Sequence, residues 1–117
     1  MLNFVGKQVY LACGATDMRK SINGLSIIVE NSFNLDPFGQ AVFVFCNRSR
    51  NRVKILEWDG DGFWLYFKRL EKGHIRWPEL NTMSTITLTG EELSILLGGT
   101  KLALKLSRKE VSERRVV

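Results

Sequence analysis

Between residues 48 and 76, cations and aromatic rings interleave more densely than elsewhere in the sequence. Arg48, Arg50, Arg52 and Lys54 recur at every second position, and Lys68, Arg69, Lys72 and Arg76 follow. On an extended strand that spacing places side chains on one side, so the first four are expected to form a cationic row. Trp58, Phe63, Trp64, Tyr66, Phe67 and Trp77 lie among them. Such a mixture suits nucleic acid, with phosphates neutralised by Lys and Arg and bases stacked on rings. The competing reading places the aromatics in the core and leaves the cations as a solvated face. Taken singly the aromatics favour the core; for the basic cluster both readings stay open.

Other chemistry-bearing residues carry less. Thr16-Asp17-Met18-Arg19-Lys20 reads as a helix N-cap beside two cations, an arrangement that can hold a phosphate or simply be solvated. Asp59 and Asp61 are paired carboxylates with the makings of a metal or acid–base site. Each is followed by Gly, however, so turn chemistry accounts for both. His74 is the single histidine and has no nucleophile motif to serve. Cys13 and Cys46 sit in apolar runs and are expected to be buried reduced thiols, not metal ligands or a disulfide. No phosphate-cradling glycine loop or dinucleotide fingerprint occurs. No enzyme activity, cofactor or metal is expected.

These residues need elements to position them. Val9 to Cys13 reads as a strand, followed by a helix from about 17 to 31 on the spacing of Met18, Ile22, Leu25, Ile28 and Val29. Gly24 inside that helix is a weak point or a site of close packing against a strand. Residues 41–46, Ala-Val-Phe-Val-Phe-Cys, are apolar throughout and read as a strand buried on both faces. Val53–Trp58 and Phe63–Leu70 flank Asp59-Gly60-Asp61-Gly62, a hairpin turn. His74–Trp77 reads as a short strand and Thr85–Leu88 as an edge strand. Thr89-Gly90-Glu91-Glu92 is a capping box opening a helix through Leu93, Leu96 and Leu97. The order predicts an α+β fold, an antiparallel β-meander sheet packed with two helices.

The chain has 117 residues, 44% hydrophobic and 25% charged, which suits one folded domain. A single domain is expected over 1–99, with 100–117 as a basic tail or helix. The net charge of +5 is uneven: residues 48–76 and 101–117 each carry +4, while 77–100 carry −3. A basic protein of this kind favours polyanions. No leader pattern or membrane-length apolar run occurs, so a cytoplasmic location is expected.

Several segments together resemble the TnpB accessory proteins of IS-66-type bacterial insertion sequences. Residues 9–25, from Val9-Tyr10-Leu11-Ala12-Cys13-Gly14 through Thr16-Asp17-Met18-Arg19-Lys20 to Leu25, resemble that family's N-terminal signature. Val42–Arg48 and the long block from Lys54 to Gly73 are similar to it too, as are Trp77-Pro78 and the helix from Leu88 to Leu97. The likeness spans about residues 2–98; from Gly98 to Val117 the sequence departs from the family's usual ending. The resemblance implies a non-catalytic accessory role in DNA transposition, catalysis belonging to a separate, larger transposase. It is distinct from the RNA-guided nucleases that share the TnpB name. Combining resemblance with charge, the expected nucleic-acid-binding residues are Arg19, Lys20, Arg48, Arg50, Arg52, Lys54, Lys68 and Arg69. The expected partners are DNA, the element's ends being the obvious candidate, and the element's transposase or a sister accessory protein. No membrane or small-molecule substrate is expected. The alternative is a protein-interaction scaffold for the transposase without direct DNA contact.

Overall fold

The structure is a computed structural model and describes residues 4–78 and 83–98. β1 (Gln8–Ala12) leads to α1 (Ile22–Ile27), which runs on into one π turn over Ile28–Ser32. β2 (Val42–Cys46), β3 (Arg52–Trp58), β4 (Phe63–Arg69) and β5 (Thr85–Thr89) follow. The chain is helical again over 90–98, here α2. The five strands form one sheet in the order β4-β3-β2-β1-β5. The fold is α+β as expected, and the sheet is mostly antiparallel.

Two details differ from a plain meander. β1 and β2 pair parallel, because the α1 crossover returns the chain in the same direction. Only β2, β3 and β4 form a meander; β5 returns to the far edge and pairs antiparallel with β1.

β2 lies at the centre of the sheet and all five of its residues are buried, which explains its uninterrupted apolarity. Its alternation divides the core. Val42, Val44 and Cys46 pack with Val9, Leu11, Val53, Ile55, Trp77 and Leu93 on the α2 side. Phe43 and Phe45 pack with Leu25, Val29 and Leu56 on the α1 side. Cys46 is buried as expected, whereas Cys13 is only half-buried; the two form no disulfide.

The first helix starts later than Thr16-Asp17 suggests. Its cap position is Ser21, which makes no side-chain capping bond. Asp17 is committed elsewhere, as described below. The helix ends where Phe33 N donates to Ile28 O and Leu35 N to Val29 O, with Asn34 between them in the left-handed region (φ 57°). Gly24 does not meet a strand: a Cβ there would press on the Lys20 side chain, 3.2 Å away.

Segment 70–77 is not a strand, although Ile75 and Trp77 are both buried. Two of its amides are taken by the turn after β2: Leu70 N donates to Asn51 O and Ile75 N to Arg50 O, both at 2.7 Å. The Trp77 indole donates to Ala12 O at 2.9 Å. Alternating burial here reflects a segment lying over the end of the sheet, not pairing with it. The tail expected over 100–117 and its boundary at 99 lie outside the described residues.

The capping box forms as read. Glu92 N donates to Thr89 Oγ1 at 3.1 Å, and Thr89 N to Glu92 Oε1 at 2.8 Å. Gly90 next to it is required by space, because a Cβ there would collide with the Phe4 backbone carbonyl. Gly90→Ala is therefore expected to destabilise the fold by about 1–3 kcal/mol, the usual range for overpacking. Urea unfolding checks this; an unchanged midpoint would contradict the close approach.

Candidate nucleic-acid interface

The strand register sorts the loops between the two ends of the sheet. At one end β1 finishes at Ala12, β2 at Cys46 and β4 at Arg69, while β3 begins at Arg52 and β5 at Thr85. Loops 13–21, 47–51 and 70–77 therefore meet there. At the other end lie the Asp59–Gly62 hairpin, the Asp36–Gly39 turn, whose Phe38 ring meets Trp58 and Phe63, and the start of α2 with Glu91 and Glu92. The charges follow this division. Arg19, Lys20, Arg48, Arg50, Arg52, Arg69, Lys72 and Arg76 belong to the first end, against Asp17 and Glu71. The second end holds Asp36, Glu57, Asp59, Asp61, Glu91 and Glu92, with Lys7 as the cation bound to Glu57. The basic groups thus gather opposite the Asp-Gly-Asp-Gly bend.

The expected row of four cations does not form on one strand. Arg48 and Arg50 precede β3 in a turn built by Asn47, whose Oδ1 accepts from Asn51 N and Arg52 N at 3.0 Å each. Arg50 takes a left-handed backbone conformation (φ 59°). Its guanidinium reaches back to Gly14 O at 3.3 Å and lies 6.0 Å from the Trp77 ring centre. Arg48 stays exposed at the tip of the turn. Arg52 and Lys54 do share a face of β3, the α1 side, because Leu56 two residues further on belongs to that core.

Lys54 is partly withdrawn from the surface. Its ammonium donates to Met18 O at 2.8 Å and Lys20 O at 2.7 Å, and lies 5.9 Å from the Phe67 ring centre. It ties loop 13–21 to the sheet, as does Thr16 N donating to Cys46 O at 2.8 Å. Lys68 pairs with Val53 and so faces the α2 side, away from Arg52 and Lys54. Arg69 pairs directly with Arg52, which brings two exposed cations side by side. Like charges directly opposite weaken a sheet. Arg69 has an exposed partner in Glu71, 2.8 Å from its Nε. Among the described residues no carboxylate forms an ion pair with Arg52 or Arg48.

Arg19 stands on loop 13–21 with its side chain 92% exposed, and Asp17 grips it. Nε and Nη2 both contact the carboxylate, and Arg19 N also donates to Asp17 Oδ1 at 2.9 Å. These bonds hold the Asp17 carboxyl well below the usual range and raise the Arg19 guanidinium. The structure therefore brings Arg19, Lys20, Arg48, Arg52 and Arg69 to one end, places Arg50 and Lys54 there as struts, and turns Lys68 to the other face. The strut roles depend on the positive φ of Arg50 and on the loop crossing above Lys54, neither of which leaves a mark in residue spacing.

Of the aromatics, Trp77 is buried, while Trp58, Phe63, Tyr66 and Phe67 are half-buried. Trp64 is exposed and stacks on Tyr66, and its indole donates to the Asp59 carboxylate, whose pKa this bond lowers. Asp59 is thus a hairpin residue holding a ring. Among the described residues no group of three potential metal ligands occurs, and no helix is long and apolar enough to cross a membrane. His74 Nδ1 lies 3.0 Å from Ser49 O, joining loop 70–77 to the basic turn.

Away from the basic end, Tyr66 donates to the buried Glu57 at 2.9 Å. Burial, and then Glu57, raise the Tyr66 pKa above its ordinary value. The folded state thus binds the phenolic proton more tightly than the unfolded chain does. This contribution is complete below the ordinary tyrosine pKa of about 10 and is lost as pH rises beyond it. Tyr66→Phe is expected to flatten the fall in stability as pH rises above about 10, as measured by denaturant midpoints. Parallel curves for the two proteins would contradict it.

A family model described as IS66 Orf2 like protein matches residues 7–106. Two proteins of Sinorhizobium fredii (strain NBRC 101917 / NGR234) are similar along most of their length. Uncharacterized protein y4hO is 36% identical over 92 residues, 79% of each chain. Uncharacterized protein y4jC is 31% identical over 94 residues, 80% of each chain. No solved structure matches.

Proposed function

Because this chain belongs to the IS66 Orf2-like protein family, which points to an accessory role in transposition, we propose that it is non-catalytic and grips DNA with the basic end of its sheet. The register pair Arg52–Arg69 carries this reading: two exposed cations are held side by side although like charges directly opposite weaken a sheet. A polyanion lying across that end would turn the repulsion into attraction. Arg48, Arg19 and Lys20 extend the surface along two loops, while Arg50 and Lys54 brace those loops from within. The acidic residues at the far end would orient the protein as it approaches DNA. The ends of the mobile element are the natural ligand, and the element's transposase or a sister accessory protein the natural neighbour.

One observation favours a second reading, a scaffold for the transposase without DNA contact. Trp64, 47% exposed and stacked on Tyr66, lies on edge strand β4 in the manner of an interface anchor.

Binding to duplex DNA over a salt series separates the two. Salt-dependent binding is expected, and replacing Arg48, Arg52 and Arg69 together with Ala should reduce the slope of log K against log salt by up to about 0.9 for each phosphate no longer neutralised. Absence of binding at low salt, with the transposase still co-purifying from nuclease-treated extract, would contradict the DNA reading and favour the scaffold.

A further inference from the structure

We propose that Arg19, clamped by Asp17, reads the major-groove edge of a guanine, while the unclamped cations around it hold phosphates. The inference rests on the DNA reading above and names the part of the ligand that one residue takes. Its basis is the contrast between an exposed side chain and a fixed one. A surface ion pair adds little to stability and usually leaves both partners mobile. Here Arg19 is 92% exposed, yet Nε lies 3.0 and 3.1 Å from the two Asp17 oxygens and Nη2 lies 2.8 Å from one of them. The carboxylate is itself fixed by the Arg19 amide at 2.9 Å. The loop beneath is fixed by Lys54, which binds the carbonyls on either side of Arg19, those of Met18 and Lys20.

The clamp decides which part of DNA fits. The carboxylate occupies the Nε side of the guanidinium and leaves the N–H groups of its far end free to donate as a fork. That fork matches guanine O6 and N7. It matches a phosphate poorly, because the Asp17 charge already offsets Arg19 and would itself repel the anion. A neutral base edge carrying two acceptors meets no such repulsion. The Arg69–Glu71 pair lacks the feature: a single Nε contact joins its side chains.

The test is equilibrium binding of the full chain to two duplexes of identical sequence, one with guanine and one with 7-deazaguanine, which lacks the N7 acceptor. Preference for guanine by about fivefold or more is expected. Arg19→Lys, which keeps the charge and removes the fork, should abolish the preference, and Arg19→Ala should abolish it while leaving the salt slope unchanged. Asp17→Asn should weaken the preference. Equal, salt-dependent binding of both duplexes by the unaltered protein would overturn the guanine assignment and leave the DNA reading standing. So would an Arg19→Lys variant that keeps the preference, or an Arg19→Ala variant whose slope falls by about one, as removal of a phosphate-binding cation would cause. Absence of salt-dependent binding to either duplex would overturn both.

Discussion

The parallel pairing of β1 with β2 is the constraint from which the rest of the molecule follows. Because α1 carries the chain back to the start of the sheet, both strands finish at the same end, and the loops leaving them emerge side by side. The antiparallel return of β3 and β4 then brings Arg52 and Arg69 to that end and sends Asp59 and Asp61 to the other. Cations far apart in sequence share a surface because strand direction sorts them, not because they neighbour one another along the chain. The core enforces the arrangement. β2 is buried on both faces, and shifting its register by one residue would exchange Phe43 and Phe45 with Val42, Val44 and Cys46.

Strand direction brings the three loops together, and a few side chains make them rigid. Asn47 closes the turn after β2, Arg50 crosses to Gly14 O, Lys54 holds two carbonyls of the β1–α1 loop, and Trp77 caps the end of β1. The left-handed conformation of Arg50 costs about 1 kcal/mol, offset by its contacts with Gly14, Asn47 and Trp77. The basic residues therefore fall into two groups by what they touch. Those bonded to backbone carbonyls shape the loops, and those reaching solvent form the outer surface. Burial raises the Cys46 thiol at the base of this assembly while Arg50 pulls it down, so burial prevails and the group is a poor nucleophile.

Much of the frame was legible in the residues. The apolar run at 41–46, the Asp-Gly-Asp-Gly hairpin, the edge strand at 85–88 and the Thr89–Glu92 box each carry a local signal, and each matches its observed element to within a residue. What was not legible depends on contacts distant in sequence. Whether β1 and β2 run parallel is decided by a crossover, not by either strand. The i, i+2 spacing of Arg48 to Lys54 promised one row, but the Asn47 turn interrupts it before Arg52. Asp17 has a capping residue's chemistry and spends it on Arg19. Ile75 and Trp77 alternate like a strand because one face of their segment meets the core, while two of its amides serve the neighbouring turn. Lys68 is one residue from Arg69 and for that reason points the other way.

The central claim is that charge sorted by strand direction makes one end of the sheet the DNA-contacting end. Backbone amide shifts followed by NMR during titration with a short duplex test it most directly. The account predicts perturbations concentrated in 14–20, 47–54 and 67–77, with 36–41, 57–63 and 90–93 left unmoved. Perturbations centred on the Asp59–Gly62 hairpin and the start of α2, or none at saturating duplex in low salt, would contradict it.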